Sequence, residues 1–303
     1  MNTTTIRKTL QYLFVLCIFL ATQSAKGQTW TALGTGLNGN AYSVCVYNGN
    51  LYAAGAFTTA GGVTSNNIAE WNGTTWDSVG HGLNDTVYSL CVYKGNLYAG
   101  GAFTKAGFVT ANHIAMWNGT TWANIGLGVN NNVYSMQVFD SLKTSGQQLL
   151  YVGGSFTTAG GKAISYLAVL GNTRWDSVRR TAFDDKNQQG PNNVVRAMNI
   201  DPSKEIDIAG NFSQVSGVGW PDFAQFDATQ WFDYNSEPMN SKGVLALASF
   251  GGNEYLGGNA FFTTPKTGYI GYINYADSNK WTTLGSGVNN TVYNLTTFNS
   301  DLY

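Results

Sequence analysis

Residues 97–122 read LYAGGAFTKAGFVTANHIAMWNGTTW, and residues 51–76 read LYAAGAFTTAGGVTSNNIAEWNGTTW. The second stretch is the first displaced by 46 positions, with the apolar, glycine and tryptophan landmarks in register. LYVGGSFTTAGG (150–161) is a third copy and IDIAGNFSQVSG (206–217) a worn fourth. Trp30, Trp76, Trp122, Trp175, Trp231 and Trp281 mark the period, in steps of 46, 46, 53, 56 and 50 residues. Self-similarity at that spacing means a unit that cannot bury both its faces alone and must stack on its neighbours.

Each unit reads as four strands, and the second shows them best. Val87 to Tyr93 is β-rich, Lys94-Gly95-Asn96 turns the chain, and Leu97 to Phe103 returns it. After a loop at 104–112, a third strand runs from His113 to Trp117. Asn118-Gly119, a preferred two-residue hairpin signal, then predicts a turn into a fourth strand from Thr121 to Ile125. Alternation puts Tyr88, Leu90 and Val92 on a bulky face of the first strand, and Val87, Ser89 and Cys91 on a small one. Gly100-Gly101 and Gly153-Gly154 predict close backbone approach. The longer spacings are expected in loops, around 140–149 and 179–193. Four-stranded sheets stacked radially, bulky face on small face, make a β-propeller; a flat sandwich leaves the repeat unexplained.

The order "NLYAGG … IAMWNGTTW" resembles the kelch repeat. With the fuller pattern "W-x-x-[LI]-G-x-G-[LV]-N … V-Y-S … L-Y-x-G-G-x-F-T-x-A-G", it is similar to repeats of exported Bacteroidetes-type propeller proteins and of fungal cortical-marker surface proteins. The resemblance covers 30–303, is strongest over 30–161 and weak over 179–240. It implies about five complete blades and a truncated sixth, with Trp30 to Leu33 as a lone closing strand and six or seven blades in a longer protein. Kelch-like propellers include galactose oxidase, scaffolds and adhesins, so the likeness speaks to fold more than to activity.

The N-terminus predicts export. Arg7 and Lys8 precede an apolar run from Leu10 to Ala21 and the small-residue pattern Ala25-Lys26-Gly27, which reads as a signal peptide over 1–27 cleaved before Gln28. The run is shorter than the roughly 20 residues a spanning helix needs, and no later segment is expected to be apolar enough to cross a membrane. The domain reading is therefore 1–27 signal peptide and 28–303 propeller, in a secreted or cell-surface protein. Cys45 and Cys91 occupy equivalent places in consecutive units and are expected as buried thiols, not a disulfide.

Composition narrows function by exclusion. The 303 residues carry 16 basic and 17 acidic side chains, only 11% charged in all, beside 14% aromatics, which is not the footprint of a nucleic-acid binder. A galactose-oxidase-like centre would need two His, two Tyr and a thioether Cys, yet the chain has only His81 and His113, both at loop or loop-edge positions and expected to be solvated. A glycoside hydrolase would need two opposed carboxylates; the first strands offer Asp201 and Asp140, and the 179–193 insertion Asp184-Asp185. Neither set predicts a catalytic, metal or cofactor site. The sequons at Asn72, Asn84, Asn118, Asn211, Asn289 and Asn294 are expected as turn chemistry. The expected function is non-catalytic: a binding, adhesion or scaffold propeller whose partner is a surface protein or glycan. Its contact face would be the one carrying the 104–112 and 126–132 loop types, with Trp220 and Phe183 as contact residues. The alternatives are a carbohydrate-active propeller enzyme and a spacer array in a larger surface protein.

Overall fold

In a computed structural model, the structure describes residues 31–140, 148–171, 174–178, 190–201, 203–227, 230–232, 243–259, 269–274, 281–298 and 301–303. Five antiparallel four-stranded sheets follow one another along the chain. Blade 1 consists of Asn40–Tyr47, Asn50–Ala56, Ile68–Trp71 and Trp76–Ser78; blade 2 of Val87–Tyr93, Asn96–Gly101, Ile114–Trp117 and Trp122–Asn124. Blade 3 has Val133–Asp140, Gln148–Gly154, Leu167–Leu170 and Trp175–Ser177. Blade 4 has Val195–Ile200, Ile206–Gly210, Phe223–Phe226 and Trp231–Phe232, and blade 5 Val244–Phe250, Asn253–Gly258, Ile270–Asn274 and Trp281–Thr283. A two-stranded ladder, Thr297–Phe298 with Asp301–Leu302, comes after blade 5. The signal-peptide segment, Trp30, Phe183 and Asp184-Asp185 lie outside the described residues. Among the described residues no helix is long and apolar enough to cross a membrane.

The first strands of successive blades pack side by side, which makes them the inner layer. Every one of them carries a β-bulge at its start, between Ala41 and Ser43, Val87 and Ser89, Val133 and Ser135, Val195 and Ala197, and Val244 and Ala246. The extra residue resets the alternation. Val133 therefore joins Met136 on the face toward blade 2, where a Cβ on Gly100 would stand 2.5 Å from Val133 Cγ1 and 3.3 Å from Met136 Cε. By the same register Val87 lies with Leu90, not with Ser89 and Cys91, and the face assignment read from strict alternation is corrected at that residue. Tyr88, expected on the bulky face with Leu90 and Val92, is the bulged residue itself and leaves that face, a second correction. Bulky-on-small packing is seen where Gly153 receives Val195 and Met198 as Gly100 receives Val133 and Met136.

The turns also depart from expectation in one place. Lys94 (φ 49°) and Gly95 (φ 73°) form the two-residue turn between the paired Tyr93 and Asn96. Asn118-Gly119 does not: Trp117 pairs with Trp122, so the connection has four residues and the fourth strand starts at Trp122. The Asn118 side-chain oxygen accepts the Thr120 and Thr121 backbone N–H groups at 2.9 and 2.8 Å. That local bond favours the wider turn over a type I′ geometry. In blade 3 the first hairpin is paired up to Asp140 and Gln148, which places the expected insertion between them.

The loop at 104–112 holds a further ladder, Lys105–Ala106 with Val109–Thr110, matched in blades 1 and 3. Asn84 fastens it to the connection that enters the blade. Its Oδ1 accepts the N–H groups of Thr104 (2.9 Å) and Lys105 (2.8 Å), and its Nδ2 donates to Thr104 Oγ1 (3.1 Å). Asn38, Asn130 and Asn192 make the same three-bond staple. Asn84→Ala is expected to cost about 2 kcal/mol, since two backbone donors lose their acceptor, read as a lower urea midpoint at unchanged slope.

Candidate functional site

The connections into the first strands and those between second and third strands emerge at one end of the blades, the end where the bulges sit. A bulge leaves one residue without a ladder partner and re-aims its side chain. The five residues so placed are Tyr42, Tyr88, Tyr134, Arg196 and Leu245. Tyr42 and Tyr88 have ring centroids 5.7 Å apart, Tyr88 and Tyr134 5.2 Å, both pairs tilted at 47°. The Arg196 guanidinium lies 4.3 Å from the centre of the Tyr134 ring, and its Nε donates to Asn211 Oδ1 at 3.3 Å. The result is one arc across four blades: three tyrosines in ring contact, ended by a cation. Its members are half-buried or exposed. Burial, then Tyr134, Asp85 and Tyr42, push the Tyr88 hydroxyl upward, while Arg196 opposes them, so at neutral pH the ring keeps its proton and remains a donor.

The same end carries exposed apolar and aromatic side chains. Phe108, at the tip of the blade 2 ladder, is 87% exposed and lies against His81, with ring centroids 4.5 Å apart and the rings tilted at 49°. Leu127, the residue equivalent to His81 one blade later, is 69% exposed and reaches over Gly161. Trp220 is on this end as well, half-buried against the core of blades 3 and 4. It takes the place of Ser65, Ala111 and Ile164, all buried.

The histidines differ in kind. His81 is exposed, as expected. His113 is half-buried, with Nδ1 3.2 Å from the Gly101 carbonyl oxygen, and desolvation lowers its pKa. Its φ of 63° matches Asn67, Tyr166 and Asp222 in the equivalent bends, so it occupies a left-handed corner of the fold and not a solvated loop. Cys45 and Cys91 are free thiols, half-buried where full burial was expected; desolvation still raises both, Cys91 to about 12, and such thiols are poor nucleophiles. Asn72, Asn84 and Asn118 spend their side chains on turn bonds. Among the described residues no three His, Cys, Asp or Glu side chains converge as a metal-ion ligand set.

Two groups of residues escaped the sequence reading. The tyrosine–arginine arc was hidden because the bulge is invisible in the alternation; the only trace is the apolar pair Val87–Tyr88 ahead of Ser89. The second group is acidic. Its members, Asp207 and Glu254, are fully buried; Asp201, already offered by the sequence, is close to them and 4% exposed. Asp207 stands where the other blades have Tyr52, Tyr98, Tyr151 and Tyr255, and Glu254 where they have Leu51, Leu97, Leu150 and Ile206.

No protein-family model matches the chain, and no curated protein matches it significantly. Solved structures do. The WD40 β-propeller domain of Doa1 aligns over 91% of this chain and 92% of its own, at 14% identity and a TM-score of 0.46. Two extracellular domains from B. thetaiotaomicron also align. That of the putative hybrid two-component system BT3049 covers 87% of this chain at 14% identity and a TM-score of 0.37. That of the putative one-component system BT4673 covers 88% at 13% and 0.41. The chain spans about a third of the length of those two domains, 30% and 37%. By its own sheets, the chain is an all-β, five-bladed β-propeller with four-stranded antiparallel blades.

Proposed function

We propose that this is an exported, non-catalytic propeller of the kelch-like type that acts at the cell surface as a binding or adhesion module. The observation that carries the reading is the arc of Tyr42, Tyr88, Tyr134 and Arg196, held on bulges at the loop-bearing end. Tyrosine and arginine give large contact area with polar edges at low entropic cost, and they dominate recognition surfaces. Phe108, Leu127 and the half-buried Trp220 extend the face outward. A glycan presenting C–H faces to the rings, or a protein surface, is the class of partner that fits.

The test is a glycan array probed with the full-length secreted protein, with bound metal measured on the same sample. Saturable binding is expected, and Tyr88→Ala or Tyr134→Ala is expected to weaken it about 30-fold, as loss of a central aromatic contact of about 2 kcal/mol would. Binding indifferent to both variants would move the site elsewhere. Stoichiometric copper or calcium would favour the enzyme reading instead.

A further inference from the structure

At three of the four blade junctions, a tyrosine on the second strand of one blade packs in the same cluster as an aliphatic residue on the second strand of the next. Tyr52 clusters with Leu97, Tyr98 with Leu150, and Tyr151 with Ile206. At the junction of blades 4 and 5 the corresponding residues are Asp207 and Glu254. Asn199, paired with Asp207 across the first hairpin of blade 4, reaches over the junction and donates through Nδ2 to both Glu254 oxygens, at 3.0 and 3.1 Å, and to Ser249 Oγ at 2.7 Å. Ser249 Oγ also donates to Glu254 and lies 3.2 Å from the Ile200 carbonyl oxygen of blade 4. Asp201 accepts the Glu205 N–H at 2.7 Å and the Gln225 carboxamide at 3.4 Å.

Among the described residues, no positive charge acts on these two acids. The groups acting on Asp207 are the acids Glu254, Asp201 and Glu205 and the neutral Gln225; those acting on Glu254 are Ser249, Asn199 and Asp201. Neither Asp207 oxygen has a hydrogen-bond partner among the described residues, although Gln225 lies alongside. Ionised carboxylates in such a place carry the full cost of desolvation and of mutual repulsion, and the way out is to keep a proton. Asn199 and Ser249 both donate to Glu254, whereas Gln225 is the one donor set beside Asp207, so the proton is held more firmly at Asp207 than at Glu254.

We infer that the junction of blades 4 and 5 is a proton-linked seam, closed while the Asp207–Glu254 pair holds its protons and loosened as the pair ionises. The sign follows from linkage. Burial raises Glu254 from 4.5 to about 7 and Asp207 well above its ordinary value. A carboxylate raised in the folded state gives its full stabilisation below the unfolded value, and loses it as pH climbs through the folded value. The seam therefore weakens between about pH 4.5 and pH 7 for Glu254, and above that for Asp207.

Hydrogen exchange by mass spectrometry on the full chain, at pH 5 and pH 8 and normalised for intrinsic exchange, reads this directly. Amides of Val244–Phe250 and Asn253–Gly258 are expected to lose at least tenfold in protection at pH 8, while those of Val87–Tyr93 and Asn96–Gly101 stay unchanged. Asp207→Asn and Glu254→Gln, which keep shape and remove the titration, are expected to abolish the difference. Equal loss in blades 2 and 5, or no loss in either, overturns the inference from the wild-type protein alone, whether or not the variants fold. A pH dependence that survives both substitutions overturns it too.

Discussion

Gly101→Ala is expected to lower the thermal midpoint by roughly 6 °C. A Cβ at Gly101 would stand 2.2 Å from the Thr86 carbonyl oxygen and 2.9 Å from Val87 Cα. Both are backbone atoms at the bulge of the paired strand, so no side-chain rotation relieves the clash. Either the bulge opens or the second strand leaves the sheet. Forcing such a contact costs about 3 kcal/mol, and a domain of this size loses roughly 2 °C per kcal/mol. Gly154 meets the Asn132 carbonyl oxygen at 2.1 Å, Gly210 that of Val194 at 2.1 Å, and Gly258 that of Gly243 at 2.4 Å, so the same substitution at those positions should cost as much. Gly219, with nothing within 4 Å of its would-be Cβ, is the control. A Gly101→Ala midpoint equal to that of Gly219→Ala would mean the bulge is not a fixed feature. The expectation reaches function, because the bulge that Gly101 accommodates is the one that frees Tyr88 for the candidate face.

That dependence marks how far the sequence could be read. The repeat was legible because one supersecondary unit leaves the same glycines, aromatics and turn residues at the same offsets in every copy. Bulky-on-small packing followed from alternation. What alternation cannot reveal is an inserted residue: the bulge puts Val87 on the other face, takes Tyr88 out of the packing face, and lines it up with Tyr42, Tyr134 and Arg196 in an arc. Asn118-Gly119 departs from its hairpin signal for a similar reason, since an Asn side chain that bonds two backbone N–H groups selects a wider turn than its dipeptide suggests. Asp207 and Glu254 were visible as acids in apolar positions of the repeat. Their meeting was not, because it depends on which face of blade 4 meets which face of blade 5.

Trp122→Ala is expected to cost about 4 kcal/mol and Trp122→Phe about 1 kcal/mol, in urea unfolding of the full-length protein. Trp122 is 6% exposed, packs on Trp117 with centroids 5.3 Å apart, and donates through Nε1 to the Val79 carbonyl oxygen of blade 1 at 3.1 Å. Trp76 does the same to Leu33 at 2.8 Å, and Trp175 to Ile125 at 3.4 Å. The tryptophan of the period is thus a clamp between outer strands of neighbouring blades. Emptying its site leaves a cavity as well as an orphaned carbonyl, whereas phenylalanine fills most of the volume and gives up only the hydrogen bond. In a stack of units that touch only their neighbours, the damage should stay local. Hydrogen exchange on Trp122→Ala should therefore rise across Ile68–Trp71, Trp76–Ser78 and Ile114–Trp117, and remain at the wild-type level in Ile206–Gly210. The clamp also braces the connection that begins at Gly80, where a Cβ would stand 2.8 Å from Trp122 Cδ1. His81 follows immediately and the bulge of blade 2 seven residues later. Loss of the tryptophan should loosen the partner-binding face at Tyr88 and Phe108 while leaving Arg196 in place; weakened binding from Trp122→Ala but not from Trp122→Phe would show that the outer clamp, and not its hydrogen bond, positions that face.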